Sequence, residues 1–462
     1  MTREERPVTS RTHRASTTLQ PTPEAWGDVM SSPGGGVERS TLGFVAVAAG
    51  GGAMFLADRP GGLPWMTLVA FVPLFMIVLF SASTRLEAAC LGAIWAAARF
   101  VPLGAAVGVL SLPLPAVAAL TVYLLGSFAL FAVVVFAVRR ANVWVVALVA
   151  GSAFVAIEVV DAALPMWGTS LSLATDWVAL PWAIRGVVGL AGVHAVAFCI
   201  VCAAALVAVG IRRGPRWPAF AGALALLGGA LLASKVTRPD RTHGVLRVAT
   251  VGGESRLVND AIIDLLADAS RRGAKLVVLP EALTEVHAGE KASFVGTWSE
   301  RARAAELTVV VPFLDGEHPG NRLAVFGPQG NLVGEYTKRH LVPTAEDYPS
   351  GDGALLVFMV DGHRVGAMIC QDDNYSDVTR MYALEGVDLL VSPTFEGPLA
   401  TAPQHLASAT LRTIEQPIAL ARAATRGTSA LIAPGGHIVT SAEDTHLGAV
   451  LLVGDVPMIA RP

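Results

Sequence analysis

Along the first half of the chain the apolar positions do not alternate with polar ones; they run together in blocks. Seven blocks can be marked, at 41–57, 63–81, 86–110, 114–138, 142–162, 186–210 and 217–234. Each is close to the roughly 17 to 25 residues that a bilayer core demands of a helix. From 245 onward the pattern changes to short apolar runs separated by amphipathic stretches. Strands are expected at 245–251, 275–280, 307–313 and 388–392, and helices at 259–271, 291–306, 378–385 and 404–415. Two hairpin-like pairs, 322–326 with 332–336 and 354–360 with 364–370, lie between them. Mixed strands and helices over such a length predict an α/β sandwich. The expected fold is therefore a multi-span α-helical membrane domain over 41–236, of about seven helices, followed by an α/β sandwich domain over 244–462.

Charge follows the same division. Between 41 and 234 there are 14 charged residues in 194, and from 235 to 462 there are 47 in 228. The first density is too low for a soluble domain and the second is ordinary for one. Residues 1–40 are rich in Ser, Thr, Pro, Gly and Arg without apolar periodicity and read as a disordered tail. The apolar segments start only at Thr41 and several follow, so a cleaved signal peptide is not expected. The net charge of -3 argues against a nucleic-acid partner. Zinc and phosphate-loop spacings and a GxGxxG are absent, so no metal site is expected.

Basic residues set an orientation. The tail carries Arg3, Arg6, Arg11, Arg14 and Arg39, and alternate loops carry Arg85, then Arg139 and Arg140, then Arg212, Arg213 and Arg216. The loops between them hold only Arg59 and Arg185. That asymmetry places the tail in the cytoplasm and, after seven spans, the second domain outside. Arg99, Glu158, Asp161 and His194 lie within or at the ends of spans, where charge is costly. They are expected either to pair inside the bundle or to shape an entrance for lipid.

Cys370 is the one cysteine after Cys202. It ends an apolar run, Arg364-Val-Gly-Ala-Met-Ile-Cys370, and polar residues follow at once. A thiol exposed by a strand-to-turn bend is placed as a nucleophile would be, although a bland buried cysteine also fits. Glu281 follows a strand upstream and Lys338 is expected to precede another. The chain has four lysines against thirty arginines. A lysine kept at 338 matters, because a compact ammonium is not replaced by a guanidinium.

These contexts resemble the nitrilase, or carbon–nitrogen hydrolase, superfamily, whose Glu-Lys-Cys triad occurs in this chain order. More narrowly, apolar spans followed by such a domain are similar to the apolipoprotein N-acyltransferase family. The words that carry the likeness are Leu279-Pro-Glu-Ala282, Tyr336-Thr-Lys-Arg-His-Leu-Val-Pro343 with Glu346, and Ile369-Cys370. Gln404-His405, Arg412-Thr-Ile-Glu415, Ala424-Thr-Arg-Gly-Thr-Ser-Ala430, Leu68-Val-Ala-Phe-Val-Pro-Leu74 and Trp167-Gly-Thr-Ser170 add to it. Departures are Gln371-Asp372 where the family has an aromatic then a glutamate, and Ser392-Pro-Thr-Phe-Glu-Gly397 where it has Asn-Asp-x-Trp. An eighth, C-terminal span found in some relatives has no counterpart.

The resemblance implies a bacterial cell-membrane enzyme that moves an acyl chain from a phospholipid, through a Cys370 thioester, to the α-amine of the diacylglyceryl-cysteine of a lipoprotein. Glu281 would be the base, Lys338 with a backbone N–H near Gln371 would hold the oxyanion, and Glu346 would orient Lys338 and the amine. Asp372, Phe395 and His405 are candidates for substrate binding. Membrane lipids are implied partners, and no cofactor is. Two other readings stay open: a membrane-tethered amidase or acyltransferase for another amine, and a non-catalytic lipid-binding protein.

Overall fold

The computed structural model describes residues 35–58, 62–106, 112–165, 167–212, 217–236, 242–343, 345–397, 402–444 and 448–459. The chain divides into compact units Met1–Val45 and Ala46–Pro462, and the geometry below lies in the second. Of the tail expected over 1–40, residues 1–34 fall outside the described residues. Residues 35–40 are instead the start of helix α1 (Gly35–Ala57), where Glu38 and Arg39 continue the turn.

The apolar half is helical: α2 (Met66–Ala70), α3 (Val72–Phe80), α4 (Arg85–Ala106), α5 (Leu114–Ala137), α6 (Val143–Ala163), α7 (Pro181–Ala191), α8 (His194–Arg212) and α9 (Trp217–Val236). Among the described residues four helices are long and apolar enough to cross a membrane, Arg85–Gly104, Leu114–Ala137, Val143–Ala163 and His194–Arg212. Two expected single spans are each two helices: 63–81 holds α2 and α3, and 186–210 holds the end of α7 and most of α8. Gly192 takes φ +79 and its N–H caps Val188 O at 2.8 Å, which ends α7 before His194 opens α8. The polar residues singled out in the apolar helices find partners among neighbouring segments. Arg99 makes a two-pronged pair with Asp58 at 2.8 and 3.1 Å, and both are buried. Glu158 contacts His194 Nδ1 at 2.9 Å and accepts Leu173 N–H at 2.8 Å, while Asp161 accepts the Tyr123 hydroxyl at 2.6 Å.

The second half is an α-β-β-α sandwich. One sheet is built from β1 (Thr242–Gly252), β2 (Leu276–Val278), β3 (Thr284–Val286), β4 (Thr308–Asp315), β5 (Gly320–Phe326), β6 (Leu332–Thr337) and the last strand, β13 (Val450–Ile459). Its order is β13-β1-β2-β4-β5-β6, with β3 on β4. The other runs β12-β11-β10-β9-β8-β7, built from β7 (Val357–Val360), β8 (His363–Ala367), β9 (Leu389–Phe395), β10 (Ala419–Thr425), β11 (Thr428–Ala433) and β12 (His437–Glu443). Their inner faces interlock through Val248, Val278, Leu323, Ala367, Val391 and Ala421. Helices α10 (Ser255–Arg271) and α11 (Lys291–Ala305) cover the first sheet, and α12 (Ser376–Leu384) and α13 (Ala402–Glu415) cover the second. The segments β1–β2–β4 and β8–β9–β10 are each parallel, and the chain just past β2 meets the end of β9 where Glu281 accepts the Phe395 N–H at 2.7 Å, so the carboxyl ends of these two strands share one rim. Ligand sites of α/β sheets gather at such carboxyl ends.

The link between α6 and α7 presses on that rim. Thr169 N–H and hydroxyl both reach Asn374 O, at 2.9 and 3.0 Å, and Arg412 Nη2 donates to Thr169 Oγ1 at 2.9 Å. Tyr375 donates its hydroxyl to Leu164 O at 3.0 Å. Gly168 stands at φ +52, and a Cβ there would meet Asn374 O at 2.5 Å. Only glycine fits so close an approach in that conformation.

Candidate active site

Glu281 lies just past β2, where Ala282 at φ +51 turns the chain away. The carboxylate is buried yet fully engaged. Its Oε1 accepts from Lys338 Nζ at 2.8 Å and Asn321 Nδ2 at 2.7 Å, and Oε2 accepts the Phe395 N–H at 2.7 Å. Lys338 follows β6 and is 1% exposed. Its second carboxylate is Glu346, at 2.9 Å, and Glu346 also accepts Val342 N–H and Asn321 Nδ2, each at 2.7 Å. Burial alone would lower the Lys338 ammonium's pKa. The charges of Glu281, first, and Glu346 outweigh it and hold the ammonium above its ordinary range.

Cys370 does not end a strand as the sequence suggests. β8 stops at Ala367, Met368 N–H adds one more bond to Val391 O, and Cys370 opens a 3₁₀ turn, Cys370–Asn374, at φ +47. A left-handed non-glycine residue costs on the order of 1–3 kcal/mol and persists only when its surroundings enforce it. Asp372 enforces it. One oxygen accepts Ile369 N–H at 3.0 Å and Tyr336 OH at 2.8 Å, and the other accepts His340 N–H at 2.7 Å. The thiol lies 3.6 Å from Phe395 O. Burial raises its pKa well above the ordinary thiol range; Glu281 adds to this and Lys338 only partly offsets it. The resting group is a neutral thiol that needs a base.

Beneath the turn lies a buried four-charge cluster. His405 Nδ1 contacts Glu396 at 3.0 Å, and its Nε2 is 2.6 Å from Asp373 and 3.3 Å from Cys370 O. Arg422 bonds Glu396 and gives its other branch to Thr428 O at 2.8 Å. Burial works against the charge on His405, but Asp373 and Glu396 outweigh it and raise its pKa to about 10. Burial likewise works against the Glu396 carboxylate, and His405 and Arg422 overcome it, lowering the pKa to about 2. Glu396 follows Phe395, whose N–H holds Glu281 and whose carbonyl faces the thiol. The cluster therefore anchors the peptide that joins both groups.

A cavity of about 690 Å³ opens onto these residues. Glu281, Lys338, Cys370 and Glu346 stand in its wall, together with Phe100 and Leu103 of α4 and Leu120 and Leu124 of α5. Of the other residues singled out in the sequence, Gln371, Phe395 and His405 line it, and Phe395 is 40% exposed. Gln371 accepts Asn374 Nδ2 at 2.9 Å. Asp372 does not line the cavity. It is fully buried with both oxygens occupied, and it shapes the cysteine turn instead of facing a substrate. His405 lines the cavity with both its ring nitrogens held within the cluster. Sequence reasoning missed Asn321, Asp373, Glu396 and Arg422. An arginine inside the alanine-rich strand β10 was the one visible signal.

Residues 237–458 match the family model for carbon-nitrogen hydrolases. An omega-amidase of Bos taurus is 32% identical over 163 residues, 30% of this chain and 58% of the relative. An apolipoprotein N-acyltransferase of Geobacter metallireducens is 27% identical over 190 residues, 35% of this chain and 36% of that one. Apolipoprotein N-acyltransferase 1 of Treponema pallidum is 35% identical over 107 residues, 22% and 19% of the two chains. Each alignment spans less than two thirds of the relative. A solved amidase of Nesterenkonia sp. is 21% identical, covering 47% of this chain and 92% of that one at a TM-score of 0.42. Over residues 237–458 the chain is similar to the carbon–nitrogen hydrolase, or nitrilase, superfamily.

Proposed function

We propose that the protein is an apolipoprotein N-acyltransferase, moving an acyl chain from a phospholipid to the N-terminal amine of a diacylglyceryl-cysteine. The observation that carries this reading is the shared cavity, in which Cys370 and apolar side chains of two span-length helices line one space. A small polar amide needs no such wall; a lipid ester does.

In the first half-reaction Glu281 takes the Cys370 proton and the thiolate attacks the ester carbonyl carbon. An ammonium has three donors. Lys338 gives two to Glu281 and Glu346, and the third, with the Gln371 backbone N–H, meets the tetrahedral oxyanion. The C–O bond breaks, and the leaving lysophospholipid oxygen takes the proton back from Glu281. A thioester remains. The amine then attacks it, Glu281 removes an amine proton, the C–S bond breaks, and the thiolate is reprotonated. We place the tail in the cytoplasm, the spans over 41–236 and the 244–462 domain outside, where a lipid and a lipoprotein would meet the triad.

Labelled phospholipid should leave a hydroxylamine-labile acyl group on the purified protein. A diacylglyceryl peptide with a free N-terminus should discharge it, and one with a blocked amine should not. The likeness to omega-amidases favours hydrolysis as a second reading. Rapid loss of the thioester in buffer, indifferent to the peptide, would establish that reading instead.

A further inference from the structure

Asn321 has no role in the steps above, yet its amide is fixed at one end and unpartnered at the other. It lies at the start of β5 and is 3% exposed. Its Nδ2 donates at 2.7 Å to Oε1 of both Glu281 and Glu346, the two carboxylates that Lys338 bridges from the other side. Those carboxylates fix the amide's orientation, because the flipped amide would turn its oxygen toward two anions. Oδ1 is thereby left buried without a protein partner, on a residue that lines the cavity holding Cys370. A buried acceptor in that condition calls for a donor. The ester brings no N–H or O–H to its reacting carbon. An attacking amine does.

We propose that Asn321 Oδ1 is the docking point for one N–H of the incoming primary amine, an inference that rests on the acyl-transfer reading. With one N–H on Oδ1, the nitrogen lone pair faces the thioester carbonyl. As the N–C bond forms, Glu281 removes a second proton from nitrogen. The C–S bond then breaks with its electrons on sulfur, and Cys370 recovers the proton from Glu281. The arrangement needs two N–H groups, one held and one lost. It selects primary over secondary amines.

The test preloads wild type, Asn321→Ala and Asn321→Asp with labelled thioester and discharges each with a diacylglyceryl peptide bearing either a primary or an N-methyl terminus. For Asn321→Ala, discharge by the primary amine should fall at least about tenfold more than acylation does, and the preference for primary over N-methyl should shrink. Asn321→Asp keeps an acceptor oxygen at nearly the same size. It should load slowly, from carboxylate repulsion, while retaining that preference. Equal losses in loading and discharge, or an unchanged amine preference in Asn321→Ala, would overturn the assignment. Should the alanine variant not fold, loss of the preference in Asn321→Asp would do the same. A wild type that neither loads nor discharges would remove the acyl-transfer reading itself, which separates the two failures.

Discussion

Replacing His405 by Gln removes a cation from between two buried carboxylates, and its effect can be worked out before measurement. The wild-type imidazole has its pKa raised from 6.5 to about 10. At about 1.4 kcal/mol per pH unit, that span is on the order of 5 kcal/mol of stability. Removing one partner of a buried pair typically costs about 3–5 kcal/mol, so the two routes agree. The folded pKa is raised, so the stabilisation is complete below pH 6.5 and is lost as pH rises toward 10. Glu396, whose pKa is lowered from 4.5 to about 2, reports much of the same interaction from the acid side. Its share is present above pH 4.5 and lost as pH falls through 2. Urea unfolding of the full chain in detergent, at a series of pH values, should show wild type ahead of His405→Gln by roughly 3–5 kcal/mol near pH 6, with the gap closing toward pH 10. Ring-nitrogen NMR of labelled histidine gives the direct check, with His405 remaining an imidazolium well above pH 7. A gap that does not change with pH, or a His405 resonance that titrates near 6.5, would refute the reasoning.

Four further outcomes are expected. Iodoacetamide should modify Cys370 slowly through pH 8, because burial and Glu281 keep the thiol protonated, and Glu281→Gln should abolish thioester formation from phospholipid; a fast-reacting thiol at neutral pH would contradict the neutral resting state. Gly168→Ala should destabilise the chain by roughly 1–3 kcal/mol and slow acylation, read by thermal unfolding and label uptake, since its Cβ would strike Asn374 O beside the cysteine turn. A cysteine introduced at Ser350 should react with an impermeant thiol reagent on intact cells, whereas reaction only after lysis would reverse the proposed orientation.

Much of the fold can be read from the chain because apolar runs and their periods survive into the structure. The triad candidates can be read because each stands beside an expected strand in a distinctive motif. The failures have physical causes. Hydropathy averages over Gly192, so one apolar block concealed two helices. The Cys370 turn depends on Asp372 reaching Tyr336 and His340, and a local window cannot display that contact. Asn321 looks like any polar residue opening a hairpin; its importance comes from two carboxylates brought to it by other strands. The charged cluster is assembled from the cysteine turn, the end of β9, α13 and β10, so no linear motif announces it.

That cluster also limits how the sequence can drift. Asp373, Glu396, His405 and Arg422 balance as two negative and two positive charges with almost no access to water. Changing any one alone leaves an uncompensated ion under the cysteine turn. The four are therefore expected to be inherited as a block: a lineage that replaces Glu396 with an uncharged side chain should also neutralise a cation, through His405 or Arg422. Descendants of this chain should divide into those that keep all four and those in which charges have been lost in opposite-sign pairs.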